Sequence, residues 1–187
     1  MTAPLPDVLD AGQRGFIAER RTATLATLSK DCRPRLVPIC FVLADPEPDD
    51  PRTLLYSPLD EKRKRDLDVR KLARVRDIAE RPEVTLLFER WSEDWSCLAW
   101  LRARGMATLL EPDHDTGAHR RAVHALRAKY PQYRAQRIEA LPMIRVIVFE
   151  AVSWSATAGP FASQASFGRS PLGLPREAAG TESDASS

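Results

Sequence analysis

Cysteine is scarce in this chain. There are three in 187 residues, Cys32, Cys40 and Cys97, widely spaced and with no C-x-x-C. Neither a disulfide framework nor a zinc site is expected from that count, and a reducing, cytoplasmic setting fits it. Long apolar runs are missing as well. MIRVIVFEAV is the nearest candidate for a membrane span, but it is too short and contains Arg145. The opening MTAPLPDVLD lacks a basic region followed by an apolar run, so no signal peptide is expected. No G-x-G-x-x-G, P-loop or G-x-S-x-G occurs, which removes the usual dinucleotide, ATP and serine-hydrolase signatures. The three histidines, His114, His119 and His124, are spaced by five. A helix spreads that spacing over about 140°, so they read as solvated helix residues and no metal site is expected. Excess charge of one sign is also absent. The net charge is +2, so any electrostatic function has to come from local clustering.

The composition is that of an ordinary globular domain, with 43% hydrophobic and 29% charged residues. The apolar spacing predicts a helix from Asp7 to Arg20. The period then changes, and TATLATLS, Thr22–Ser29, reads as a strand, followed by a turn at Lys30–Arg33. RLVPICFVL, Arg35–Leu43, is the next strand, and its Pro38 points to an edge or a bulge because proline donates nothing to a ladder. Thr53–Ser57 is a short third strand. Helical spacing runs from Val69 to Arg81, stopped by Pro82. EVTLLFER is a strand, WSEDW a loop, and Cys97–Glu111 a long strand with a bulge or bend near Gly105. A helix over Asp115–Tyr130 and a last strand, MIRVIVFEAV, complete the pattern. About six antiparallel strands in meander order with three helices predict a mainly β architecture, a β-barrel with peripheral helices. Residues 1–154 form that domain. Residues 155–187 hold four of the eight glycines and no apolar periodicity, and read as a disordered tail.

Two local features carry chemical information. Nine basic side chains fall between Leu59 and Pro82, where a loop of lysines and arginines leads into the predicted helix. Such a loop can hold phosphate through charge-assisted hydrogen bonds, or it can simply solvate a surface helix. Acids interleaved at Asp66, Asp68 and Asp77, and the absence of a reader motif, argue against nucleic acid. Trp91, Trp95 and Trp100 fall within ten residues. The first two sit in a polar loop, where a large ring needs a flat ligand or a partner subunit to cover.

TATLATLSKDCRPRLVPICFVL resembles the opening hairpin of the pyridoxamine 5′-phosphate oxidase-like split barrels. LYSPLDEKRKR, RKLARVRDIAERPEVTLLFE, EDWSCLAWLRARGMATLL and ALRAKYPQYRAQ extend the likeness from Phe16 to Trp154, closest to the branch of coenzyme F420-dependent oxidoreductases. The resemblance implies a split β-barrel, a homodimer with cofactors in grooves at the subunit interface, and hydride transfer between F420 and a small organic substrate. FMN is the alternative cofactor. Carried over residue by residue, Arg35, Val37 and Pro38 match strand positions lining the groove, and Ser57 the strand end before the phosphate loop. Lys62 and Lys64 match the basic loop. Arg74 aligns with the phosphate-binding lysine of branches that have a shorter loop, so the choice among these basic residues stays open. Trp95 matches a tryptophan that reaches the cofactor from the other subunit. Cys32 stands where the family usually has glycine, Ala99 where an aromatic is common, and Arg63 where a proline is common. No catalytic residue stands out; Tyr56, Glu93 and Asp94 are candidate proton donors. A flavin- or deazaflavin-binding protein without turnover is the competing class.

Overall fold

The computed structural model describes residues 8–44, 52–59, 68–157, 159 and 161. The first helix, α1, spans Ala11–Glu19 and is capped by Asp10, whose side chain accepts from Gln13 N–H while Gln13 returns the bond. Asp7, where the sequence reading starts this helix, lies outside the described residues. Strands β1 (Ala23–Leu28) and β2 (Pro34–Ile39) form the expected hairpin, with Thr24 opposite Pro38 and Thr27 opposite Arg35. Strands β3 (Val42–Leu43) and β4 (Leu54–Pro58) pair next. A single 3-10 turn, Val69–Lys71, precedes helix α2 (Ala73–Glu80). The predicted continuous helix is broken at Leu72, whose ψ of 140° is extended. Then come β5 (Glu83–Arg90), β6 (Ala99–Leu110), helix α3 (Thr116–Lys129) and β7 (Met143–Ser155).

These strands make one antiparallel sheet in the order β2-β1-β5-β6-β7-β4-β3. Among the described residues there are seven strands because Arg35–Leu43 is two strands and not one. β2 ends at Ile39 on one edge of the sheet, and β3 begins at Val42 on the other. Two residues, Cys40 and Phe41, span at most about 11 Å. The sheet therefore has to curl until its first and last strands meet at that corner, which makes a split barrel. Pro38 sits on an edge strand, as its missing N–H demands.

The inner face is closed by Leu25, Leu86, Phe88, Leu101, Ala103 and Val146. A second apolar cluster lies under α3, built from Val123, Leu126, Tyr130, Ile138 and Met143 against Val42 and Tyr56. Tyr130 is the stitch at the corner. Its hydroxyl accepts from Phe41 N–H at 3.1 Å and lies 2.7 Å from the Phe41 carbonyl oxygen and 2.9 Å from that of Arg21. Burial pushes its phenol up to about 12. Lys129 covers the same corner, its ammonium 4.0 Å from the Phe41 ring centroid. Burial, then the charges of Arg21 and Arg20, push that ammonium down to about 8.

The bulge expected near Gly105 is present. Arg104 faces Glu150 but Gly105 faces Val148, so Phe149 is the extra residue and the bulged strand is β7. Glycine is required by close approach, since a Cβ there would lie 2.5 Å from Val146 Cγ1 and 2.6 Å from the Ile147 carbonyl oxygen. After β7, Ala156 N–H donates to the Leu98 carbonyl at 2.9 Å, and Phe161 packs on Phe16 with ring centroids 4.9 Å apart. Among the described residues no helix is long and apolar enough to cross a membrane.

Three measurements test this packing. Gly105→Ala lowers unfolding stability by about 1–3 kcal/mol in denaturant titration, the usual cost of overpacking. Cys32 holds a left-handed φ of 59° in the β1–β2 turn, so Cys32→Gly raises stability by about 0.5–1 kcal/mol. Lys129 is charged in both states at pH 7 and loses its proton first in the folded state. Native stability therefore rises between pH 8 and 10, before Tyr130 begins to count. Lys129→Met is more stable than the native chain at pH 7 and lacks that rise.

Candidate functional site

Where β2 and β4 come together at the split, a pocket of about 190 Å³ opens. Its walls are Thr22 ahead of β1, Pro38, Ile39 and Cys40 at the end of β2, Ser57 and Pro58 at the end of β4, Arg74 of α2, and Tyr133 in the turn after α3. Pro38, Ser57 and Arg74, three of the residues singled out in the sequence, meet here. Ser57 is buried. The described residues break off after Leu59, next to pocket residue Pro58, and resume at Asp68. Lys62 and Lys64 themselves lie outside the described residues.

Arg35 and Val37 do not line the pocket. Val37 is half-buried and packs on the main core. Arg35 donates from Nε to Asp77 Oδ2 at 2.8 Å, and Thr27 Oγ1 donates to the same oxygen at 2.8 Å. Burial pushes the Asp77 carboxyl up, but the bonds from Arg35 and Thr27 and the charges of Arg35 and Arg76 outweigh it and leave the group below its ordinary value. The other basic residues of the stretch are partly committed elsewhere. Arg70 grips Glu111 with two bonds, 3.0 Å from Nε and 2.6 Å from Nη2. Arg81 donates to the Ser29 and Lys30 carbonyls at the β1–β2 turn, at 2.9 and 3.2 Å.

Trp91 and Trp95 stand out from the β5–β6 loop, 73% and 72% exposed, on a braced scaffold. Asp94 accepts from Ser96 N–H at 3.0 Å and from its hydroxyl at 2.7 Å. Arg90 Nε donates to the Cys97 carbonyl at 2.7 Å, and Thr157 Oγ1 to that of Ser96 at 3.1 Å. The Ser96 bonds hold the Asp94 carboxyl below its ordinary value, so it is ionised near neutrality and poorly suited to give a proton. Tyr56 is buried in the cluster beneath α3, and Glu93 is exposed.

The outer face of the sheet mixes exposed apolar side chains with charged ones, among them Arg104 bonded to Glu83 and Glu150. By register and alternation Leu28, Leu36, Met106, Val152 and Trp154 share that face, and all five are exposed. Trp100 sits directly across from Trp154. The β1–β2 side of the pocket lies toward the tryptophan-loop end of the sheet, while Ser57 and Pro58 pair with Ile144 and Met143 at the start of β7, the end away from that loop. With Thr24 opposite Leu87, β1 runs back to Thr22 as β5 runs on to Trp91.

Thr22, Cys40, Tyr133 and Asp77 were not among the residues read as functional. Asp77 read as one of several surface acids, yet it is 6% exposed. It lies between Val75 and Ile78, with which it forms the buried side of α2. His119 corrects the reading of three solvated histidines. It is buried, with Nε2 2.9 Å from the Leu141 carbonyl oxygen, because its side of α3 faces the closing turn; His114 and His124 are exposed. Among the described residues no group of three His, Cys, Asp or Glu is placed to hold a metal ion.

The sequence matches the family model described as pyridoxamine 5′-phosphate oxidase over residues 9–158. No curated protein matches it. Among solved structures, a conserved hypothetical protein from Mycobacterium tuberculosis is similar at TM-score 0.60 and 18% identity, covering 91% of this chain and 100% of the other. An F420 reductase is similar at TM-score 0.52 and 19% identity, over 77% of this chain and 98% of its own. The heme storage protein HutZ of Vibrio cholerae has TM-score 0.53 and 14% identity, over 75% and 89%. At these identities the likeness is one of fold.

Proposed function

The chain belongs to the pyridoxamine 5′-phosphate oxidase family, and from that premise we propose that it is an F420-dependent oxidoreductase passing a hydride to a small organic substrate. FMN is the alternative cofactor. The observation that carries this reading is the pocket at the split, where Arg74, Ser57 and Thr22 stand together. A guanidinium and two hydroxyl-bearing residues against the apolar walls of Pro38 and Ile39 suit the phosphate of a cofactor. Bound there, the cofactor supplies the two-electron chemistry, and the protein supplies binding, orientation and a dry site. The lack of a nucleophile–base pair in the sequence agrees with that division of labour.

One protomer offers less than a whole site. A pocket of about 190 Å³ is smaller than the roughly 300–1,000 Å³ of sites that enclose such ligands. A second copy of the chain completes it in this proposal. The outer face, with its exposed apolar side chains, is the surface the copy covers, and Trp95 is the residue it extends toward the partner's pocket. Arg74 takes the phosphate, and Lys62 and Lys64 are the further cations that the family resemblance assigns to it.

Fluorescence titration of the purified chain with F420 and with FMN tests the reading. Saturable binding of F420, weakened about 10–100-fold in Arg74→Ala, is expected, with oxidation of the reduced cofactor by enones or quinones. A yellow protein that keeps FMN shifts the assignment to the alternative, and tight binding without turnover makes the protein a carrier. No binding of either cofactor at tens of micromolar refutes the proposal.

A further inference from the structure

Asp77 touches no wall of the pocket, yet it ties together the elements that carry three of them. Its Oδ2 receives Thr27 Oγ1 from β1 and Arg35 Nε from β2, each at 2.8 Å. Thr27 and Arg35 are opposite one another in the β1–β2 ladder, so one carboxylate oxygen grips the hairpin across both strands. That hairpin ends in Thr22 on one side and in Pro38, Ile39 and Cys40 on the other, all pocket residues. On the helix side, Asp77 lies three positions after Arg74 in α2, close to one turn away.

Helix α2 needs this hold. It has eight residues and no side-chain cap at its N-terminal end, and a helix that short is unstable alone. Val75 and Ile78 bury its apolar side, but apolar contact is non-directional and leaves rotation and axial slide weakly determined. Arg81 fixes only the C-terminal end, to the β1–β2 turn. Asp77 adds a directional anchor three positions from Arg74. The pair is a poor source of net stability, since burial works against the charge of Asp77 and a buried ion pair often does no better than well-packed apolar residues. Its return is geometric.

We infer that Asp77, with Arg35 as its partner, is a positioning residue that holds the Arg74 guanidinium in the anion pocket through helix α2. The inference rests on the reading that this pocket takes the phosphate of the cofactor. It gives Arg35 a role one step removed from the ligand, in place of the direct groove contact implied by the family pattern.

The test compares a phosphorylated ligand with the same ring system lacking phosphate: FMN with riboflavin, or F420 with its phosphate-free deazaflavin, according to which the native chain binds. Asp77→Asn and Arg35→Ala each lose about tenfold of the preference for the phosphorylated compound, while affinity for the phosphate-free compound is unchanged. Arg35→Lys restores most of the preference. In an Arg74→Ala background, Asp77→Asn has no further effect. Should Asp77→Asn fail to fold, Arg35→Ala carries the comparison, because Arg35 lies half-exposed on an edge strand. Equal weakening of both compounds, an unchanged preference, or full additivity with Arg74→Ala overturns the inference and leaves the cofactor assignment standing. Failure of the native chain to bind either cofactor removes both.

Discussion

Everything about this fold turns on how the chain gets from β2 to β3. The two strands occupy opposite edges of a seven-stranded sheet, yet only Cys40 and Phe41 separate them. A connection that short cannot cross a flat sheet, so the sheet curls. The backbone at the crossing leaves the ladder and would be costly to bury unpaired. The Tyr130 hydroxyl meets both the N–H and the carbonyl of Phe41, and the Phe41 ring is fully buried, edge-on to Phe88 at 5.0 Å. The pocket lies beside that corner, lined by Cys40 on one side of the split and Ser57 on the other. Closure and site are thus one feature of the fold.

Positive charge is distributed by a similar economy. The basic stretch looks like a single block in the sequence, but its arginines do different work. Arg70 clamps the 3-10 turn to the end of β6 through Glu111. Arg81 satisfies carbonyls in a turn that also contains the strained Cys32. Arg74 alone of these three lines the pocket. A guanidinium has five donors in a fixed fork, so each can act as a structural clamp or as an anion site, and the choice depends on what faces it.

The outer sheet face shows the complementary economy of apolar surface. Five large apolar residues share it in exposed positions, although the inner face already fills the barrel. They are interleaved with Glu83, Arg102, Arg104 and Glu150, the mixed composition of an interface that is not fully apolar. Trp91 and Trp95 extend from a loop braced by Asp94, Arg90 and Thr157. Fixing the backbone next to an exposed indole limits the loop entropy lost when something covers it.

Strand and helix positions were legible because periodicity is local. The alternation in Glu83–Arg90 and Cys97–Glu111, the stop at Pro82, the edge role of Pro38 and the bulge at Gly105 follow from residue types and spacing. The family pattern added the split barrel and picked out Pro38, Ser57 and Arg74. The break of Arg35–Leu43 into two strands was not legible, because nothing in RLVPICFVL says which edge of the sheet each half will join. Nor was the burial of Asp77 and His119, since a carboxylate or an imidazole on an amphipathic helix has the same sequence context whether or not a donor or acceptor waits opposite it. The sequence by itself determined the elements, the mainly β class and the residue types at the site. Only the tertiary structure decided which arginine reaches the pocket and which is tied to a carboxylate, because that depends on partners 40 or so residues away brought within about 3 Å by the curl of the sheet.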